Sequence, residues 1–511
     1  MREQLFHLDP KAGATLQTQL RQMLVAAIRE GQLPPGSPLP SCRKLAETLE
    51  VARNTVALAY QDLVEEGFLI ARQRSGYFVS REIDAGRLAP PLDAGGPPAA
   101  GIEGLRPDWL LRLRARPSTQ RNIVKPRDWQ SYKYPFIYGQ IDPALFPIAD
   151  WRECSRQALS LAAVREWASD RFTDDDPQFI EQIRTLLLPR RGVFVAPEEI
   201  LLTVGAQHAI YLLATLLVDE RTVVGIENPG YADARNIFAL RTSRLIGLAV
   251  DEQGLMDSEA LENCNYVHVT PSHQFPTTVT MSLARRRALI ERAARDDIVF
   301  IEDDYEAEIN HLGGPTPALK SLDQGGRVIF VGSLSKTIAP GLRMGYLVGP
   351  RELIAEARAL RRLMLRHPPA NNQRTAALFL ARGHYDSLLR REGQSLKQRW
   401  AALQDALARH MTHCRFRRTT GGTAFWIEGP PALDARVLEK AAAAVGVLIE
   451  PGDVHFLAEE GPRNFFRLGF SSIPAERIEP GIKLLAEVIA EQLAGASEKD
   501  RLALPRRKRA G

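Results

Sequence analysis

Residues 328–343, VIFVGSLSKTIAPGLR, form the stretch that decides the fold. The apolar run over 328–331 has the composition of a buried strand, and Ser333, Lys336 and Arg343 follow it. A lysine at a strand end can attack an aldehyde if its surroundings lower its pKa or hold the aldehyde close. A single lysine in a sequence is usually a solvated surface residue. Whether Lys336 is a reactive amine therefore depends on the residues of the neighbouring strand.

A second apolar run, IVFIEDDY at 298–305, ends in carboxylates and a tyrosine. In a parallel sheet the carboxyl ends of neighbouring strands meet at one edge, so we expect Asp303 and Tyr305 close to Lys336. Side chains alternate along a strand, so Glu302 and Asp304 should point away from Asp303, into the next layer or solvent.

Short β-branched runs alternate with helical patterns after residue 129, and this alternation predicts an α/β domain with a doubly wound, mostly parallel sheet. We expect this domain to span residues 129–495 and to form a large and a small lobe. Six runs are predicted as strands: 200–204, 222–227, 266–270, 298–302, 328–332 and 344–348.

Residues 1–80 predict a separate small domain. Leu16, Leu20, Leu24 and Ile28 recur on one helix face, and two shorter helical patterns follow over 41–49 and 54–66. Two strands, 68–72 and 77–79, are joined by a basic turn that contains glycine, which is typical of a wing.

Between the two domains, residues 81–128 form a linker rich in proline, glycine and arginine. From 106 to 127 it has seven basic residues against one acid, so it either contacts DNA phosphates or is a solvated tether with one short helix. Residues 496–511 are predicted to be a basic, disordered tail.

The composition excludes several classes for the 511-residue chain. A hydrophobic share of 45% excludes disorder of the whole chain. We expect a cytoplasmic protein, because there is no apolar run long enough to span a membrane and no signal peptide at the start. The four cysteines are far apart, so neither a disulfide framework nor a metal site is predicted. A net charge of +5 permits an acidic partner without demanding one.

The segments LPSCRKLA at 39–46, VARNTV at 51–56 and GYFV at 76–79 resemble the winged helix-turn-helix of the GntR family of transcriptional regulators. This resemblance implies a DNA operator as partner, with the third helix in the major groove. Seven residues would then contact DNA: Ser41, Arg43, Arg53, Asn54, Thr55, Arg72 and Gly76.

The alternative for each of these residues is ordinary: Ser41 only caps a helix, and the arginines are solvated. Ala52 also departs from the serine that is usual in the family. Residues 1–90 have eleven basic side chains against ten acidic ones, so one copy should bind DNA weakly.

The second domain resembles the fold-type-I aminotransferases that use pyridoxal 5'-phosphate (PLP), in particular those of the MocR subfamily of GntR regulators. The resemblance implies that Lys336 forms the internal aldimine, that Asp303 pairs with the pyridine nitrogen and that Tyr305 bonds the phenolic oxygen. It also assigns Arg467, inside an apolar strand, to an effector carboxylate. Further cofactor contacts are implied for Tyr231, Gly205, Ala206, Gln207, Ser333, Arg343 and His273.

Alternatives and departures accompany this assignment. Tyr231 could simply pack in the core, and His273 could be a satisfied surface imidazole. The segment 170–184 lacks the tyrosine that a partner subunit lends to the phosphate in the family. Asp233 stands where some relatives have an effector-binding arginine, and Pro276-Thr277-Thr278 replaces the usual Pro-Thr-Gly.

The resemblance implies a transcriptional regulator that senses an amine or amino acid by external aldimine formation at Lys336. It also implies a head-to-tail homodimer. The rival hypothesis is a working aminotransferase that has a DNA-binding module, and a third is a fusion with an inactive cofactor pocket. The sequence leaves the effector, the operator and the direction of regulation open.

Overall fold

The structure is a computed structural model that describes residues 8, 13–72, 75–81, 107–137, 139, 142–170, 173–314, 316–417 and 419–503, with side chains to residue 495. The predicted linker residues 82–106, Arg74 of the predicted wing turn and the tail from residue 504 lie outside the described residues. The chain divides into two compact units, Met1–Leu113 and Arg114–Gly511.

The first unit contains a three-helix core and a hairpin. The predicted helix face of Leu20, Leu24 and Ile28 is buried, and it packs with Val56 and Tyr60 of the third helix. The hairpin pairs antiparallel, as the wing pattern predicts. In chain order the helices and strands are Leu16–Arg29, Cys42–Thr48, Arg53–Glu65, Leu69–Arg72, Gly76–Val79 and the short helix Trp109–Arg112.

A mixed sheet of eight strands forms the centre of the second unit. Each of the six predicted strands is present, and two further strands extend one edge of the sheet. From edge to edge the order is Ile200–Thr203, Gly345–Val348, Val328–Ser333, Val299–Asp304, Tyr266–Val269, Val224–Asn228, Leu245–Asp251 and Gly254–Leu255.

The register of two parallel strands brings the predicted catalytic ends together. Val331 lies beside Asp303 and Gly332 beside Asp304, so Lys336 follows the strand next to Asp303. Alternate residues of one strand pack into different cores: Phe330 faces one cluster, and Ile329 and Val331 face another. Apolar side chains therefore cover both faces of the sheet, as expected for parallel strands.

Eight described helices of the second unit come before the small lobe in the chain. Those outside the small lobe are Ile148–Ala158, Leu161–Trp167, Pro177–Gln182, Ala206–Leu217, Ala232–Ala239, Leu283–Arg295, Arg351–Leu365 and Ala370–Ala381.

The small lobe has a four-stranded sheet and three helices, whose apolar side chains share one core. The last helix continues to Ala503 through part of the predicted tail, where no proline interrupts it. The sheet order is Arg415–Phe416, Ala424–Glu428, Phe465–Gly469, Glu450–Pro451, and the helices are His384–His410, Ala435–Ala444 and Ala475–Ala503. A separate pair joins Tyr134–Pro135 to Val447–Leu448.

Residues 114–128, which the sequence analysis placed in the linker, are part of the second unit. The guanidinium of Arg121 donates to the carbonyl oxygens of Phe456 at 2.9 Å and Leu457 at 3.1 Å. Across the described ranges, no helix combines the length and apolar character needed to cross a membrane, and no acid, histidine or cysteine cluster could hold a metal ion.

Candidate functional site

The predicted recognition helix presents polar side chains in its first turn. Arg53 and Asn54 are exposed and Thr55 is half-buried, while Val56 behind them is buried. Ala52 occupies the N-cap position and offers no side-chain hydrogen bond to the helix. The first-turn N–H groups therefore lack a side-chain acceptor from the cap, and an incoming phosphate oxygen could supply one.

The other predicted DNA contacts are also at the surface of this unit. Ser41 caps the second helix, where its Oγ accepts from the backbone N–H of Lys44 at 3.2 Å. Arg43 is exposed and forms a 3.1 Å ion pair with Glu47, which is weak because water screens it. Arg72 lies over the ring of Phe78 at 4.7 Å. Gly76 has a φ of 96°, which favours glycine at this turn.

The second unit contains a cavity of about 260 Å³ at the carboxyl edge of the large sheet. Eight of the predicted cofactor residues line it, together with seven others. The predicted ones are Lys336, Asp303, Tyr305, Tyr231, Ala206, Gln207, Ser333 and Arg343. The additional ones are Ile123, Lys125, Asp233, Thr270, Phe275, Ser335 and Pro340.

Lys336 is half-buried on this cavity. Its pKa is lowered to about 8, mainly because burial removes the amine from water; the charges of Lys125 and Arg467 act in the same direction, and those of Glu306 and Glu450 oppose them. A larger fraction of the amine is therefore neutral, and nucleophilic, at neutral pH than in a free lysine. Gly139 makes room for this side chain, since a Cβ there would lie 2.5 Å from Nζ of Lys336.

The three consecutive acids of the neighbouring strand face different surroundings. Asp303 is buried on the cavity, 3.7 Å from Nε2 of His268. Asp304 pairs with Arg191 at 2.7 Å and accepts from Ser272. Glu302 accepts backbone N–H groups, and burial raises its pKa to about 7. Strand alternation therefore separates Asp303 from its two neighbours, as the sequence analysis predicted.

Aromatic rings form one wall of the cavity. Tyr231 and Phe275 pack edge to face with centroids 5.1 Å apart, and Tyr305 lies 5.9 Å from Phe275. The hydroxyl of Tyr305 donates to the carbonyl of His273 at 2.7 Å, and that of Tyr231 donates to Asp233 at 3.2 Å. Burial raises the pKa of both tyrosines well above the usual value, so both keep their protons.

A helix start and an arginine at the cavity are suited to an anion. Gly205 precedes the helix that begins at Ala206, with a φ of 78°. A Cβ on Gly205 would lie 2.8 Å from Nη2 of Arg343, so only glycine lets this arginine approach the helix start. Arg343 itself has a left-handed backbone with a φ of 50°, which is uncommon for a residue with a side chain. Ser333 and Ser335 also line the cavity.

Three predicted residues are not part of the cavity lining: Gly205, which precedes the helix start described above, His273 and Arg467. His273 is buried, and desolvation lowers its pKa to about 4. Only its carbonyl reaches the site, through Tyr305. Arg467 is fully buried, and its guanidinium carbon lies 4.2 Å from the ring centre of Phe275, a residue that lines the cavity.

Ile123 and Lys125, two residues of the predicted linker, line the cavity although the sequence did not indicate them as site residues. The only signal in the sequence was the density of cationic residues there, which does not reveal a tertiary contact.

Two acids of the segment that departs from the family pattern, Asp175 and Asp176, form ion pairs inside the second unit. Asp175 pairs with Arg361 at 2.6 Å and Arg358 at 2.9 Å. Asp176 pairs with Arg374 at 2.7 Å and caps the helix Pro177–Gln182. The acids that distinguish this segment therefore stabilise its own fold.

Comparison with known proteins agrees with both halves of this geometry. Residues 16–79 match the family of bacterial regulatory proteins of the gntR type, and residues 144–485 match the class I and II aminotransferases. The HTH-type transcriptional regulator TauR of Rhodobacter capsulatus is 42% identical over 95% of this chain and 98% of its own length. The probable rhizopine catabolism regulatory protein MocR of Rhizobium meliloti is 29% identical over 97% of this chain and 98% of its own.

The chain belongs to the MocR subfamily of GntR regulators. This MocR-type protein is a DNA-binding transcriptional regulator whose second unit has the fold of a fold-type-I aminotransferase. A solved structure of the Pyrococcus horikoshii kynurenine aminotransferase superposes with a TM-score of 0.69 at 25% identity, over 77% of this chain and 99% of that one.

Proposed function

We propose that this regulator binds PLP in the cavity at Lys336 and responds to an amine or amino acid that exchanges with Lys336. The observation that carries the proposal is the strand register that sets a buried carboxylate, Asp303, beside the strand leading to a half-buried amine of lowered pKa. When bound, PLP supplies an aldehyde that can exchange one amine for another.

The residues around the cavity fit this cofactor. Oδ1 of Asp303 is buried and accepts no hydrogen bond from a described residue, so a protonated ring nitrogen could occupy that position. The carboxylate would keep the proton on that nitrogen, because an adjacent opposite charge favours the charged form. The backbone N–H groups at Ala206 and Gln207, with Ser333 and Arg343, would bind a phosphate at the helix start.

The effector end of the proposal rests on Arg467. The guanidinium of Arg467 is buried against Phe275 of the cavity wall, and its planar fork suits a carboxylate. An effector with both an amine and a carboxylate would therefore reach Lys336 and Arg467 together.

The first unit would bind the operator DNA. We propose that Ser41, Arg43, Arg53, Asn54, Thr55, Arg72 and Gly76 contact an operator in the cytoplasm. The nearly balanced charge of residues 1–90 supports a homodimer, head to tail as the resemblance implies, because two copies double the phosphate contacts. Effector binding would then act by favouring one arrangement of the dimer over another.

The test is Lys336→Ala in the full-length protein, with Lys320→Ala as the control because Lys320 pairs with Asp323 and lies outside the cavity lining. We expect wild type and the control to show an absorbance band near the blue edge of the visible and a borohydride-fixed adduct. Lys336→Ala should lose both. Mass spectrometry placing the adduct on another lysine, or on none, would overturn the proposal.

Two rival functions predict different outcomes, one in this spectrum and one in an assay of transamination. A colourless wild-type protein would indicate a fusion with an inactive pocket. Sustained transamination at about one turnover per second or faster would favour an enzyme that has a DNA-binding module.

A further inference from the structure

The segment that precedes the second unit's first strand is clamped onto that unit immediately before it reaches the cavity. The carbonyl oxygen of Arg121 accepts from Arg235 at 3.0 Å and from Asn236 at 2.9 Å. Its guanidinium binds the carbonyls of the loop at 456–457. Both the backbone and the side chain of Arg121 are therefore hydrogen-bonded to the second unit.

Two residues beyond this clamp, the same segment forms part of the cavity wall. Ile123 and Lys125 both line the cavity. A Cβ on Gly139 would lie 2.5 Å from Nζ of Lys336 and 3.6 Å from Nζ of Lys125, so the two amines converge on one glycine. Lys125 therefore lies within reach of a ligand that occupies the space beside Lys336.

An internal carboxylate is already paired with Lys125. Nζ of Lys125 lies 3.2 Å from Oε1 of Glu450, whose side chain is only 6% exposed. Glu450 is directly opposite Arg467 on the adjacent antiparallel strand, and opposed residues project to the same face of a sheet. Glu450 thus pairs with Lys125 from the connecting segment and projects to the same sheet face as Arg467 of the small lobe.

We propose that Lys125 is a specificity residue for the effector, and that its ammonium binds the effector's anionic group together with Arg467, in place of Glu450. This inference rests on the proposed function, because it concerns an amine bound at Lys336. It predicts that the protein prefers amines with a second, anionic end. Binding of such an effector would exchange the contact of Lys125 with Glu450 for a contact with the ligand, on the segment that leads along the chain to the DNA-binding unit.

The test compares Lys125→Met and Glu450→Gln in full-length protein loaded with PLP. Dissociation constants are measured by absorbance and by calorimetry for glycine, β-alanine and 4-aminobutyrate, with n-propylamine as the neutral amine. Lys125→Met should weaken the best-bound carboxylated amine about tenfold and leave n-propylamine unchanged, because one charged contact is lost. Glu450→Gln should strengthen the same ligand several-fold, because the competing carboxylate is removed.

The opposite signs of these two changes separate a ligand contact from a structural ion pair. If the pair only stabilised the fold, both variants would shift the affinity for every amine in the same direction. Lys125→Arg should restore the preference for carboxylated amines, and Lys320→Met, which breaks a comparable pair with Asp323 outside the cavity lining, should change nothing.

An unchanged ratio of affinities for carboxylated and neutral amines in Lys125→Met overturns the inference and leaves the proposed function intact. A weaker hold on the cofactor itself, with that ratio preserved, would also overturn it by making Lys125 a cofactor contact. The absence of any spectral response to amines in the wild type would instead contradict the proposed function.

Discussion

In the first unit, Arg43, Arg53 and Asn54 are exposed and belong to two short segments close together in sequence. In the second unit, Asp303 and Arg467 are buried, and they come from strands in different lobes. Exposed contacts cost the fold little, because water solvates them before a partner arrives. Buried charges have to be compensated inside the protein, so substitutions at the cavity affect stability and ligand binding together.

The largest expected change in binding affinity tests the independence of the exposed set. Arg43→Ala combined with Arg53→Ala should weaken operator binding about a hundredfold, because two cationic contacts of roughly 1 to 2 kcal/mol each are lost at separate positions. The midpoint of unfolding and the cofactor spectrum should not change. Fluorescence anisotropy with operator DNA, run beside the absorbance spectrum, measures both.

Loss of the cofactor spectrum in this double variant would contradict the comparison. It would mean that the two arginines support the fold.

The two neighbouring acids test the buried set. Asp304→Asn should destabilise the second unit by about 3 kcal/mol, since it leaves the buried Arg191 without its carboxylate. Asp303→Asn should change the free energy of unfolding by less than about 1 kcal/mol, because no described residue donates to Oδ1, yet it should weaken PLP binding. Urea unfolding and cofactor titration of both variants provide the measurement.

Equal destabilisation by the two substitutions would show that Asp303 is a structural acid like its neighbour. The proposed pairing with a ring nitrogen would then lose its support.

A smaller expected change in affinity concerns Arg467, where burial and ligand binding overlap. Arg467→Met fills a similar volume and removes the charge, so the fold and the cofactor spectrum should persist. The affinity for carboxylated amines should fall about tenfold, and that for n-propylamine should stay the same. If the response to carboxylated amines survives, the ligand carboxylate is bound elsewhere.

Much of the fold was accessible from local patterns. The six predicted strands and the first unit's helices agree with the structure within a few residues, because apolar spacing and caps such as Ser41 act over short distances. The strands Leu245–Asp251 and Gly254–Leu255 were missed. The first has a glycine within it and the second is only two residues long, so neither shows a clear strand pattern.

The sequence alone determined that Asp303 and Lys336 would meet, because the strands that precede them have directions fixed by the parallel sheet. Only the tertiary structure decided that Lys125 would join them and that the ring of His273 would not. Lys125 reaches the cavity through a clamp at Arg121 and a pair with Glu450, both distant in sequence. Contacts of that kind depend on how separate elements pack, and a side chain in an irregular segment carries no periodic signal of its partner.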